Sequence, residues 1–469
     1  MSTDGVLEPY LKNLPQLLVA LIATLNAIAD GMQYGWSAPV LPLLRSDGSP
    51  VRITENDETW LESAYLIAGL AGIPVTAYSV DKIGRKNSIL LASSASLVAW
   101  VVIAAATKVE HLYVARALSG AAGDMAFVAT PMYIAEIADE KIRGFLVGLD
   151  YLMMLLGVLV IYSIAPFTPY YAPSVVAGVL IVVQLSVFPF MPSSPYYLLS
   201  KGKREQAQKS LDRLRRRREG NGEELEAMIK AVDTRNETKG RLSDLIVVAS
   251  NRKAVIIITV LLACQNFSGY SVMVMNVHTI LTEAGSVYLT SETTGIVMSA
   301  LMLGAAIVCS LCVDKFGRKI LLLISSVLTG LCLLALAIYF RLKLSGVDVK
   351  GVSWIPVVSV MAFAVTFKLG LGFLPQLIVS ELFSNKVKAV GMTYGDAMFI
   401  IFGSLSVISY HYLARCCGID VPLYVFAVVS FASGVFTVLG VPETKGKTLE
   451  EIQLMLRGGR RVDESELAT

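Results

Sequence analysis

The 469-residue chain predicts an all-α polytopic membrane protein, with twelve transmembrane helices in two pseudo-symmetric six-helix bundles. Three observations carry that expectation: a shortage of charge, apolar runs of spanning length, and a loop motif that returns in the second half. Only 16% of the residues are charged and 55% are hydrophobic, whereas a soluble domain carries about 25% charged residues. A helix needs about 20 apolar residues to cross roughly 30 Å of hydrocarbon. Lipid leaves no backbone amide unpaired, so each run should be helical. The strand-like alternation of a membrane barrel is absent.

The runs fall near 16–40, 60–80, 88–106, 112–136, 144–165, 172–191, 253–280, 292–313, 320–340, 352–380, 389–412 and 421–441. They divide the chain into an N-terminal tail over 1–15, a first bundle over 16–192, a linker with short helices over 193–252, a second bundle over 253–441 and a tail over 442–469. The first residues are polar and acidic and lack the pattern of a cleavable leader, so insertion is expected to use the first span.

Basic residues concentrate in the connections 81–87, 137–143, 193–252, 314–319 and 381–388, all on one side if the count holds. The positive-inside tendency makes that side, and both termini, cytosolic. The run Arg213, Arg215, Arg216, Arg217 and Arg218 reads as the solvated face of a cytosolic loop, touching anionic headgroups rather than nucleic acid. Of six cysteines, Cys264, Cys309, Cys312 and Cys332 lie in apolar runs and Cys416 and Cys417 are adjacent, which indicates neither a disulfide framework nor a metal site. The glycosylation-like triplets at Asn236 and Asn266 fall in a predicted cytosolic loop and in a helix, and are discounted.

The repeat makes the halves visible. Asp81-Lys82-Ile83-Gly84-Arg85-Lys86 returns as Asp314-Lys315-Phe316-Gly317-Arg318-Lys319, each after the second span of a half. Glu136 precedes Arg143 by seven residues and Glu381 precedes Lys388 by seven, each between the fourth and fifth spans of a half. Two matches in register point to duplication of a six-helix unit. The loop charges are expected to form a cytosolic latch that opens with the inward-facing state, or, more simply, to anchor loop ends and set topology.

Five charges fall inside spans: Asp30, Asp124, Asp150, Lys368 and Asp396. Such charges are costly and usually functional. Asp30 or Asp150 is a candidate to pair with Lys368; the competing expectation is an interhelical ion pair or a charge reaching the interface. Only His111, His278 and His411 are present, and no phosphate loop, nucleophile elbow or metal cluster occurs, so an enzyme or an ATP-driven pump is not expected.

These motifs carry a resemblance. The chain is similar over nearly its whole length to the sugar porter family of the major facilitator superfamily, most closely its insect facilitated trehalose and glucose-type branch. The matching stretches are the two loop motifs, Ala115-Arg116-Ala117-Leu118-Ser119-Gly120, Pro131-Met132-Tyr133-Ile134-Ala135-Glu136 with Arg143-Gly144, Gln265-Asn266-Phe267-Ser268-Gly269, Glu381-Leu382-Phe383-Ser384, and the run from Val441-Pro442-Glu443-Thr444 to Ile452. The resemblance implies a central solute site opening alternately to each side. It assigns Asp81, Arg85, Arg116, Glu136, Arg143, Asp314, Arg318, Glu381, Lys388 and Glu443 to the cytosolic gate.

Departures from the family pattern fall on the sugar-contacting positions. The fifth-span Gln aligns with Tyr151 and the eighth-span Asn with Met302. The paired Gln of the seventh span become Gln265 and Asn266, and a later Asn becomes Ser271. The tenth-span Glu and Trp align with Lys368 and Gln376, and an Asn-Trp pair aligns with Phe399 and Ile400. The coupling carboxylate of proton-driven members aligns with Ser37, which favours facilitated movement. The loop after the sixth span, normally with Glu and Arg, reads Pro192-Ser193-Ser194-Pro195-Tyr196-Tyr197-Leu198. The solute-contacting candidates are therefore Gln265, Asn266, Gln376, Tyr151, Lys368, Trp36, Ser271 and Met302. Amides in spans also serve as glue between helices, and Trp36 is as well suited to packing as to stacking. The expected role is facilitated transport of a sugar or sugar-like solute by a monomer in the cell membrane, without cofactor or nucleic-acid partner. A carrier of a non-sugar organic solute, or a binding protein with weak transport, are the alternatives.

Overall fold

The computed structural model describes residues 13–46, 49, 51–215, 221–237, 243–285, 289–383, 387–447 and 449–457. Twelve spans emerge among them. In the first half they are Leu14–Ala23 continued by Leu25–Tyr34 and Ser37–Arg45, then Glu55–Lys82, Arg85–Ala104, Val109–Ile137, Glu140–Ile164 and Ala172–Val187. In the second they are Ala249–Phe267 continued by Tyr270–Ala284, then Ser291–Phe316, Arg318–Leu344, Ile355–Lys368 continued by Leu374–Leu382, Lys388–Cys417 and Asp420–Gly440. Eleven are long and apolar enough to cross a membrane by composition. The fourth, Val109–Ile137, falls short because Arg116 and Asp124 interrupt it, and their partners within the protein offset the cost of placing charge there.

Local chemistry explains the ends. Thr54 and Asp57 form a capping box at the start of the second span. Gly84 and Gly317 hold φ of 89° and 85° with ψ of 161° at the repeated loop, a region open almost only to glycine. That is why the chain turns between the second and third spans on Ile83 and Gly84 alone in the first half and on Gly317 alone in the second.

The chain divides into two compact units, the first ending at Glu237 and the second beginning at Thr238. Most of the long connection therefore belongs with the first unit. Its helices Pro195–Ser200, Arg204–Leu214 and Asn221–Glu237 bury Leu198, Ala207, Leu211, Leu225 and Met228 together. Arg215 donates to Ile137 O at 3.0 Å, which docks this cluster on the end of the fourth span, and Ser210 donates to Ser193 O at 2.5 Å, in the loop after the sixth. Of the basic run, Arg216, Arg217 and Arg218 lie outside the described residues, as does Thr238 of the first triplet.

Close packing in the first unit depends on missing side chains. A Cβ on Gly31 would collide with Met154 O, and one on Gly157 with Ile28 O, so the first and fifth spans touch backbone to backbone.

Candidate functional site

Each half holds one buried cation on its fourth span, and the two are housed differently. In the first half Arg116 is fully buried. Its Nε donates to Leu61 O at 3.1 Å, and its Nη1 to Gln33 O at 2.6 Å and Gln33 Oε1 at 3.1 Å. The guanidinium lies 4.6 Å from the Tyr65 ring and 5.3 Å from the Trp36 ring. The Tyr65 hydroxyl donates to Asp30 Oδ1 at 2.9 Å. Asp30 and Glu62 stand within electrostatic reach of Arg116, and Asp150 within reach of Asp30. Asp124 accepts from Thr76 Oγ1 at 2.6 Å.

This placement corrects one expectation. The resemblance assigns Arg116 to the cytosolic gate together with Glu136, yet it sits seven residues into Val109–Ile137, at the opposite end from Glu136. At 1.5 Å per residue the two are about 30 Å apart along the helix. The motif around Arg116 and its distance from Glu136 along one span are legible in the sequence, but its partners depend on how the first and second spans pack over it. Trp36, 1% exposed, lies beneath that guanidinium as part of its housing.

In the second half the tenth span breaks just after Lys368 and resumes at Leu374. Gly372 N bonds to Phe367 O at 2.7 Å, and Leu371 N to Ser325 Oγ at 2.9 Å, which satisfies the unwound backbone. Lys368 is fully buried, with Nζ 4.0 Å from the Tyr270 ring centroid. Tyr270 stacks on Phe367 at 5.1 Å, and Phe367 on Phe363 at 5.3 Å. The seventh span breaks as well, at Ser268 and Gly269, where Gly269 takes φ 81°. Immediately before that break stand Gln265, 2% exposed, and Asn266, fully buried. Asn266 Nδ2 donates to Leu262 O at 3.0 Å, while Asn266 Oδ1 and Gln265 Oε1 have no hydrogen-bond partner among the described residues. A Cβ on Gly403 would lie 3.2 Å from Asn266 Oδ1 and 3.7 Å from Ser271 Oγ, so the eleventh span closes over both. Met302 is buried at 2% exposure, and Gln376 is half-buried on the resumed tenth span. Tyr151 is half-buried on the fifth span of the other unit. The proposed partners of Lys368, Asp30 and Asp150, thus lie in the first unit, each among its own neighbours.

The repeated loops form matching assemblies. Arg85 pairs with Glu136 Oε1 at 2.8 Å and donates to Val80 O. Arg318 pairs with Glu381 Oε1 at 2.9 Å and reaches Val313 O. The second carboxylate oxygen of each Glu accepts from a hydroxyl that follows the last span of its half: Ser194 for Glu136, and Thr444, at 2.5 Å, for Glu381. Lys86 donates to Pro189 O and Met191 O, and Lys319 to Val438 O. Sequence reading missed both hydroxyls, although Pro192-Ser193-Ser194 and Pro442-Glu443-Thr444 share a Pro-X-hydroxyl pattern in register. Glu443 accepts from the backbone N–H groups of Arg318, Lys319 and Lys445 at 3.0–3.1 Å. Burial opposes its ionisation, but those donors and the Arg318 charge outweigh it and hold Glu443 below the ordinary carboxylate range. Arg143 donates to Ala138 O at 3.3 Å, Asp81 is exposed, and Lys388 is half-buried at the start of its helix. The Asp314 side chain lies outside the described residues.

A family model described as sugar (and other) transporter matches residues 19–456. The chain belongs to that family. It is 26% identical over 446 residues to a facilitated trehalose transporter Tret1 of Polypedilum vanderplanki, covering 94% of this chain and 88% of the other. It is 27% identical over 455 residues to the Tret1 of Culex quinquefasciatus, covering 96% and 88%. Among solved structures, the inward-open xylose transporter XylE from E. coli superposes with a TM-score of 0.77 at 18% identity, covering 94% of this chain and 99% of that one. The proton:xylose symporter XylE bound to 6-bromo-6-deoxy-D-glucose does so with 0.75 at 21%, covering 95% and 100%. The fold is therefore the two-domain, pseudo-symmetric one of the major facilitator superfamily. The family is one of transporters rather than enzymes, and no cluster of three or more metal-ligating side chains occurs among the described residues.

Proposed function

We propose that this protein is a facilitative carrier of a sugar-like solute, working as a monomer in the cell membrane with both termini cytosolic. The solute reading rests on the two unpartnered amide oxygens, Gln265 Oε1 and Asn266 Oδ1, beside the broken seventh span. A buried acceptor without a partner costs about 1–3 kcal/mol, and a solute hydroxyl removes that cost. Broken helices flank solute sites in many carriers, where freed backbone and polar side chains meet the cargo. The trehalose transporters and the xylose transporter named above support a polyhydroxylated cargo for this chain. The paired Arg85–Glu136 and Arg318–Glu381 assemblies serve as the latch that biases which side is open.

A second reading has its own observation. Lys368 stands where the family pattern has Glu, on a shelf of Tyr270 and Phe367. An ammonium there favours a cargo with an acidic group or one less rich in hydroxyls. Counterflow in proteoliposomes at two pH values, with trehalose, glucose, polyols and organic ions as a panel, separates the two. Exchange of a neutral sugar supports the first reading. Exchange confined to organic ions replaces it with the second. Lys368→Met is expected to change the cargo preference at equal surface abundance, and unaltered uptake of every panel member would remove Lys368 from the site.

A further inference from the structure

The break in the tenth span frees backbone groups at a depth where hydrocarbon offers them no partner. In an unbroken helix Gly370 N would bond to Thr366 O, and Leu371 N to Phe367 O. Here Gly370 N turns to Phe367 O at 3.3 Å, and Gly372 N takes the same oxygen at 2.7 Å. That leaves one acceptor, Thr366 O, and one donor, Leu371 N, to be met from outside the helix.

One hydroxyl from the ninth span, Arg318–Leu344, meets both. Ser325 Oγ donates to Thr366 O at 2.7 Å and accepts from Leu371 N at 2.9 Å. A hydroxyl can do this because one atom is both donor and acceptor. The approach is close: a Cβ on Gly370 would lie 2.4 Å from Ser325 Cβ and 2.6 Å from Leu321 O, so the unwound stretch rests directly on the ninth span. From the eighth span Cys309 Sγ donates to Leu369 O at 3.2 Å, a weaker brace on the same stretch. The stretch then folds back over the cation. A Cβ on Gly372 would lie 2.9 Å from Lys368 Cδ and 3.0 Å from Phe367 Cδ1. The Lys368 stem thus runs beneath the backbone at Gly372, while its Nζ meets the Tyr270 ring.

We propose that Ser325 is a positioning residue of the carrier: its hydroxyl pins the break in the tenth span and thereby fixes where Lys368 stands. Leu371 is bonded to Ser325, and its neighbour Gly372 lies against Lys368, so the constraint passes along two residues of backbone. The same hydroxyl holds Thr366, two residues before Lys368 on the other side of the break. Without it, a buried carbonyl and a buried amide lose their partner together, which favours local opening of the stretch. What this means for cargo rests on the role proposed above for Lys368; the pinning of the break does not.

The test uses the full-length protein in phosphatidylcholine vesicles and reads two things by mass spectrometry: amide hydrogen exchange over residues 369–373, and acetylation of Lys368 by acetic anhydride. Ser325→Ala should raise both by about tenfold. Ser325→Cys, close in size but a weaker donor and acceptor, should fall between native and Ala. Tyr339→Phe is the control for general loosening, since it removes a bond from the same span to Ala284 O, 3.0 Å long, at the far end of the helix. It should leave both readings at 369–373 and Lys368 unchanged. With trehalose and glucose as cargo, Ser325→Ala should raise the counterflow KM more than it lowers Vmax. Native protein that exchanges neither sugar defeats the sugar reading and not this one, which exchange and acetylation then decide. Native-like readings in Ser325→Ala, an equal rise in Tyr339→Phe, or a loss of Vmax with KM unmoved would each overturn the proposal.

Discussion

In the first half the glycine of the repeated loop faces an aromatic ring: a Cβ on Gly84 would lie 2.5 Å from Tyr197 Cε1. In the second half the equivalent Gly317 faces a carboxylate, with Glu443 Oε2 3.0 Å from the same imagined atom. The ion pairs beside these glycines are nearly superimposable in chemistry, Arg85 with Glu136 and Arg318 with Glu381. What covers them is not. Over the first, Tyr197 places its ring 5.7 Å from the Arg85 guanidinium and its hydroxyl 2.9 Å from Lys82 O. Over the second, Glu443 caps the first backbone N–H groups of the helix that starts at Arg318. Ser193 takes the register of Glu443 in the first half, so the charged cap is absent there and a ring from the next helix occupies the space. The duplicated unit has kept the ion pair and the hydroxyl brace and exchanged the lid.

The largest effect is expected at the shared ion pairs. Glu136→Ala leaves Arg85, 7% exposed in its side chain, without its carboxylate, and Glu381→Ala leaves Arg318, at 11%. Removing one partner of a buried pair costs about 3–5 kcal/mol, and the more buried first-half pair should lose more. Thermal unfolding of the purified variants ranks them, and an equal or reversed order would deny that the difference in burial sets the strength of the two ion pairs.

The glycines come next. Gly84→Ala and Gly317→Ala both force a side chain into a backbone region that costs about 1–3 kcal/mol. Gly84→Ala meets the Tyr197 ring in addition, so it should be the worse of the two. Tyr197→Ala should relieve only that extra part, which a double-mutant cycle measures as a coupling between positions 84 and 197. No coupling would mean that Tyr197 is not the lid.

The smallest effect is a pH dependence confined to the second half. Glu443 is held below the ordinary carboxylate range, so the stability it adds is present above the unfolded value of about 4.3 and fades as pH falls through its lower folded value. Melting temperature measured from pH 6 downward should therefore fall more steeply in the native protein than in Glu443→Gln. Parallel curves would show that the cap contributes nothing through its charge.

Much of this was legible beforehand because it is written in local pattern. Span count, the duplicated loop and the charges it carries follow from apolar run length and spacing. The hydroxyl braces Ser194 and Thr444 were overlooked although their Pro-X-hydroxyl pattern was available. Tyr65, Gln33 and Tyr270 had no such signal. Each becomes a neighbour of a buried cation only when separate spans pack, and an aromatic or amide in an apolar run looks the same whether it houses a charge or merely fills space.

By itself the sequence determined that the chain crosses a membrane as two six-helix units, since hydrocarbon permits only closed backbone hydrogen bonding over runs of that length. Tertiary structure decided which charge meets which partner. Arg116 came to rest against the rings of Tyr65 and Trp36, and Lys368 against Tyr270 at a break in its span. Those placements depend on backbones brought close at positions such as Gly31 and Gly157, and contacts between helices distant in sequence leave no periodic trace in the chain.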